Sequence, residues 1–116
     1  MSRLVPALLD VVLVVVFAAV GRRSHAEGLD LAGIARTALP FLVGTAAGWL
    51  LASIVLDSGP RSVAFGAVVV VATVAVGMAL RAVAAQGVAV SFVVVATTVL
   101  TVFLVGWRLV ARLLPS

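Results

Sequence analysis

Polarity along the chain falls into four long apolar runs separated by short polar segments. Residues 4–20 form the first, with Asp10 as its only ionisable position. Residues 37–56, 62–80 and 88–107 form the others, and none of the three contains a charged residue. Each run has a length that spans a hydrocarbon core as a helix, roughly 17–25 residues. Inside a bilayer the backbone must satisfy its own hydrogen bonds, so a span is either a helix or a strand of a closed barrel. Barrel strands alternate in polarity. Residues 11–16 and 68–71 are continuously apolar, so the pattern predicts helices. Valine favours strands in water, but in lipid that preference yields to backbone satisfaction.

The connections predict how the helices pack. Residues 57–61 (DSGPR) are a turn by composition. Residues 81–87 (RAVAAQG) are weakly polar, and helix three can run on into them. Residues 21–30 (GRRSHAEGLD) form the most polar linker. Short connections give an antiparallel up-down bundle. The expected fold is therefore all-α: one integral membrane domain of four transmembrane helices, over about 4–20, 37–56, 62–80 and 88–107. In the tail, Arg108 and Arg112 lie four apart beside leucines. That spacing predicts a last helix turning along the headgroups with both arginines reaching water.

Helix two allows two readings at its start. Asp30 can cap a helix beginning at Leu31, which places Pro40 inside it. Proline removes an amide and clashes with the carbonyl of residue 36. Either a short interfacial helix bends into the span near Pro40, or one helix runs through. The first run has some features of a cleaved signal peptide. Asp10 inside its apolar stretch and the Gly21-Arg22-Arg23 start that cleavage would leave favour a retained helix.

Composition removes whole classes of function. The 116 residues suffice for one domain. Hydrophobic residues make up 65% and charged residues 10%, too apolar for a water-soluble shell or for disorder. With no cysteine, disulfides and thiolate chemistry are excluded. The net charge is +4, but the arginines are scattered at the ends of apolar runs, where membrane proteins place them. Nucleic-acid binding needs a clustered basic face, so none is expected. No motif of a hydrolase, metalloprotease or nucleotide-binding loop occurs. The reading is not an enzyme, with no cofactor and no metal site.

The remaining candidates are few. Asp10 is an ionisable group within a span, and such residues default to a functional hypothesis. At 1.5 Å per residue from Leu4 it lies about 9 Å into its helix. It is read either as a proton or cation site, or as a carboxylate paired with an arginine or hydroxyl for packing. A wet cavity around it favours the first, an arginine clamp in a dry bundle the second. Arg22, Arg23, His25, Glu27 and Arg36 form a candidate headgroup interface. Gly44 and Gly48 make a G-x-x-x-G pair on one helix face. Thr73 and Gly77 repeat the spacing in helix three, as do Thr97 and Thr101 in helix four. These residues are read as helix packing, inside the bundle or between copies. Arg3, Arg61, Arg108 and Arg112 fall on the side of the termini, and Arg22, Arg23, Arg36 and Arg81 on the other. This balance predicts no orientation.

Several stretches resemble a known family. They are residues 21–28 (GRRSHAEG), 36–38 (RTA), 40–44 (PFLVG), 76–81 (VGMALR), 92–97 (FVVVAT) and 106–108 (GWR). Together they are similar to the domain of unknown function 3054 family, a group of small actinobacterial and archaeal membrane proteins. The G-R-x-S-H linker and the terminal G-W-R are the more specific parts. The family pattern has tryptophan before the Pro40 position and in helix three. This chain has Leu39 and aliphatic residues there, so no aromatic role is carried over. The resemblance implies an integral membrane protein and supplies no activity.

The expected function is thus a small multi-pass protein of the plasma membrane. Its partner is the lipid bilayer, its role is structural or accessory, and it associates with itself as a homo-oligomer through helix two. The rival is a small proton- or cation-coupled transporter acting as a dimer, with Asp10 as its membrane carboxylate.

Overall fold

The computed structural model describes residues 3–24 and 31–114, with the backbone alone for residues 22–24. Its elements are α1 (Leu4–Ser24), α2 (Leu31–Val55), α3 (Val63–Val83), α4 (Val90–Leu100), a π-helical segment (Thr101–Val105) and α5 (Gly106–Leu113). The last three are continuous and form one span, so four helices are long and apolar enough to cross a membrane. No strand occurs among the described residues. The 41 Å long dimension matches a bilayer with its headgroups, roughly 40–45 Å. Large apolar side chains such as Leu50, Ile54, Val71 and Val102 point outward and are mostly exposed. Lipid is the solvent that such a surface requires.

The helices overrun their apolar cores where the flanking residues allow it. Helix α1 continues to Ser24, since arginine is a good helix former. Helix α2 is one helix from Leu31 through a buried Pro40, the second of the two readings. Transmembrane helices tolerate proline because neighbouring groups re-satisfy the freed carbonyl. The candidate cap Asp30 lies outside the described residues.

The turn before α3 is built from its own side chains. Ser62 caps the helix, its hydroxyl accepting from the Phe65 amide at 3.1 Å. Beyond Val83, the Gln86 amide donates to the Arg81 carbonyl at 2.8 Å and the Ala85 amide to the Ala82 carbonyl at 3.2 Å. This paired closure of a helix end needs a left-handed residue at its centre. Ala85 takes that role at φ 57°.

Helices α2 and α3 make the closest pair, because the small residues of α2 face α3. A Cβ on Gly44 would stand 2.8 Å from Thr73 Cα, and one on Gly48 2.9 Å from Val69 Cα. Between them Thr45 and Thr73 join hydroxyls at 2.9 Å. Each is also bonded to the carbonyl four residues back, Phe41 and Val69. Gly77 gives room to the Phe41 ring. That ring meets Phe17 edge-on at 5.3 Å and Phe92 at 6.1 Å, which ties α4 and α1 to the pair.

The fourth span buries Ala96, Leu100, Leu104 and Arg108, one residue in every four. An ideal α-helix turns about 100° per residue, which would leave residue 108 some 80° away from residue 100. The wider π turn takes back that drift and keeps Arg108 in line with the buried leucines. The expected bend along the headgroups is therefore corrected. Helix α5 continues the span, and Arg108 is 0% exposed inside the bundle.

Candidate functional site: a buried carboxylate–guanidinium cluster

Asp10 stands six residues after the start of α1. Trp49 lies near the end of α2, and Trp107 and Arg108 lie in α5. In an up-down bundle these positions come from the same end at similar depth. The structure brings all four together.

The Asp10 carboxylate accepts four N–H donors. Oδ1 receives Trp107 Nε1 at 2.8 Å and Arg108 Nη1 at 2.9 Å. Oδ2 receives Trp49 Nε1 at 2.8 Å and Arg108 Nη2 at 2.8 Å. The guanidinium thus grips the carboxylate with both terminal nitrogens, a geometry that adds specificity as well as strength. Both side chains are 0% exposed.

Arg108 has further partners. Its Nε donates to the Pro60 carbonyl at 2.9 Å, in the turn between α2 and α3. Its Nη1 also donates to the Leu104 carbonyl at 2.8 Å. The cation lies 4.5 Å from the Trp107 ring and 5.8 Å from the Phe65 ring, a favourable placement over a π face. Gly66 makes the space for it, since a Cβ there would come within 2.7 Å of Arg108 Cδ. One cluster therefore joins α1, α2, the α2–α3 turn and α5. Burying two charges in this way is tolerable only because nearly every donor and lone pair has a partner.

The other sequence candidates lie elsewhere. Gly44, Gly48, Thr73 and Gly77 pack within the bundle. The face holding Gly44 and Gly48 is filled by α3 of the same chain and is not open to a second copy. Thr97 and Thr101 are exposed and bond their own backbone, to Val93 and Thr97. His25 and Glu27 lie outside the described residues, and of Arg22 and Arg23 only the helical backbone is described. Arg36 is exposed at the far end of the bundle from Asp10. No group of metal-ligating side chains occurs among the described residues.

Sequence reasoning missed Trp49, Pro60, Gly66, Trp107 and Arg108 as members of the site. The signal was available in part. A carboxylate in lipid needs a partner, and Arg108 lies about as far from its helix end as Asp10 does from its own.

The family model described as a protein of unknown function (DUF3054) matches residues 7–111. The chain belongs to this family. The matched region takes in Asp10, both tryptophans and Arg108, so the whole cluster falls inside the DUF3054 domain. No curated protein and no solved structure matches the chain.

Proposed function

We propose that this DUF3054 protein is a structural or accessory component of the plasma membrane, without catalytic activity, and that Asp10 is a folding clamp rather than a carrier of protons. The single observation that supports this reading is the saturation of Asp10. Both of its oxygens are held by indole and guanidinium donors at 2.8–2.9 Å in a fully buried site. A carboxylate that couples transport must exchange protons with water. This one has no exposed atom through which to do so. The clamp also has a structural purpose: the connections of an up-down bundle do not join its first and last helices, and the ion pair does.

The test is proton-coupled flux in proteoliposomes, measured with wild type and Asp10→Asn. Wild type is expected to give no flux above empty vesicles. Proton-driven uptake by wild type that disappears in a folded Asp10→Asn variant would overturn the proposal and restore the carrier.

A further inference from the structure

A groove of about 410 Å³ runs along the outside of the bundle between α3 and the fourth span. Ala67, Val71 and Ala75, spaced four apart on α3, form one wall, and Thr97, Thr101 and Val105 form the other. All but Val105 are exposed. The two alanines leave this face of α3 without long side chains, and the space follows. Along α3 the groove begins four residues from the helix start and runs about 12 Å, to near the middle of the span. That is most of the roughly 15 Å of hydrocarbon in one leaflet. Both hydroxyls in the groove are turned to their own helix, Thr97 donating to the Val93 carbonyl at 2.8 Å and Thr101 to the Thr97 carbonyl at 2.6 Å. No free donor faces the space.

Toward the Asp10 end, the wall formed by the fourth span leads to Arg112. Seven residues at 100° each place it about 20° from the line of Val105 and about 10 Å further out, at the depth of glycerol and phosphate. Arg112 is exposed and makes no hydrogen bond or ion pair with any described residue. Arg61, in the turn that leads into α3, is half-buried, and its buried Nε has no hydrogen-bond partner. Asp57, in the same turn, is exposed and pairs with neither arginine.

We propose that this groove binds one acyl chain of an anionic phospholipid, and that the phosphate lies in the field of Arg112 and Arg61. An apolar groove below unpaired cations is complementary to a molecule that is hydrocarbon at one depth and anionic at the next. A second copy is the poorer occupant. A two-fold axis along the membrane normal would set the two Arg112 side chains facing each other, like charges across the contact. The site does not depend on the role of Asp10.

The experiment uses the full chain in phosphatidylcholine bicelles with a trace of phosphatidylglycerol carrying a diazirine on one acyl chain, and maps photolabelled positions by peptide mass spectrometry. Labelling is expected to saturate and to fall on Val71, Thr97 and Thr101 about fivefold more than on Leu50 and Ile54, which are exposed on α2. Arg112→Gln is expected to lower it about fivefold, the contribution of one arginine to anionic lipid. A phosphatidylcholine probe with the same chain should not respond to that change. Ala67→Leu with Ala75→Leu fills the groove from two exposed positions, and should bring labelling down to the level of Leu50 with the unfolding midpoint unchanged. Labelling no higher in the groove than on α2, wild-type labelling in the filled variant, or no response to Arg112→Gln would each overturn the proposal. The chain has no cysteine, so Thr101→Cys reports a second copy directly. This variant is expected to stay monomeric with a thiol crosslinker in the bicelles, and a crosslinked dimer would give the groove to the second copy and overturn the lipid.

Discussion

Asp10 and Arg108 meet end-on across the bundle, carboxylate to guanidinium at 2.8 and 2.9 Å, and are 98 positions apart in the chain. The pair fixes the first helix against the last, and two indoles lie on the same carboxylate. Each indole supplies one donor to a charged acceptor. Trp49→Phe keeps the ring that packs on Phe65 at 4.8 Å and loses only the hydrogen bond. The expected loss is about 1–2 kcal/mol, read by reversible unfolding in bicelles. Trp107→Phe should behave alike. A variant as stable as wild type would mean that the indole donors contribute nothing.

The glycines separate into tight and open positions. Gly66→Ala must displace Arg108 Cδ, and that side chain is held by hydrogen bonds at Nε, Nη1 and Nη2. Gly44→Ala must displace the α3 backbone. Overpacking of this kind costs about 1–3 kcal/mol. Nothing lies within 4 Å of a Cβ on Gly21, so Gly21→Ala should be neutral in the same unfolding assay. Gly48→Leu should destabilise the protomer without changing its oligomeric state, which size-exclusion with light scattering would show.

The four spans were legible because lipid imposes a simple rule on length and polarity, and apolar runs obey it. Pro40 was not decisive, because a proline's effect depends on what packs beside it. The G-x-x-x-G pair was legible as packing, but spacing alone does not reveal whether the facing helix belongs to the same chain. Arg108 was misplaced for a definite reason. Read at 3.6 residues per turn, Arg108 and Arg112 share a face that leads to water. The π turn changes the register, and no residue from Thr101 to Val105 announces it. The one-in-four recurrence of Ala96, Leu100, Leu104 and Arg108 is a pattern of burial, and a stretch that is apolar at most positions does not display it in its sequence.

That register makes a deletion informative. Removing Val102 lets the segment close into ordinary α-helix, and Arg108 then falls about 20° from the line of Leu100 instead of about 80°. The shortened chain should fold and keep its clamp. An added residue after Val102 should instead turn Arg108 away from Asp10 and unfold the bundle more easily. Thermal unfolding of the two variants separates these outcomes. Equal damage from both would show that the π turn does not set the register.

Ala85 holds a left-handed conformation that glycine adopts without penalty. Ala85→Gly should therefore stabilise the protein by about 1 kcal/mol, measurable as a higher unfolding midpoint. A decrease would mean that the α3–α4 loop closes differently.

The most direct measurement is a double-mutant cycle on the ion pair, with Asp10→Asn, Arg108→Gln and the double variant unfolded reversibly in the same bicelles. Each single change leaves a buried charge without its partner, and each should cost about 3–5 kcal/mol. The double variant should cost little more than one of them, giving a large coupling energy. Additive losses, with no coupling between the two positions, would contradict the clamp.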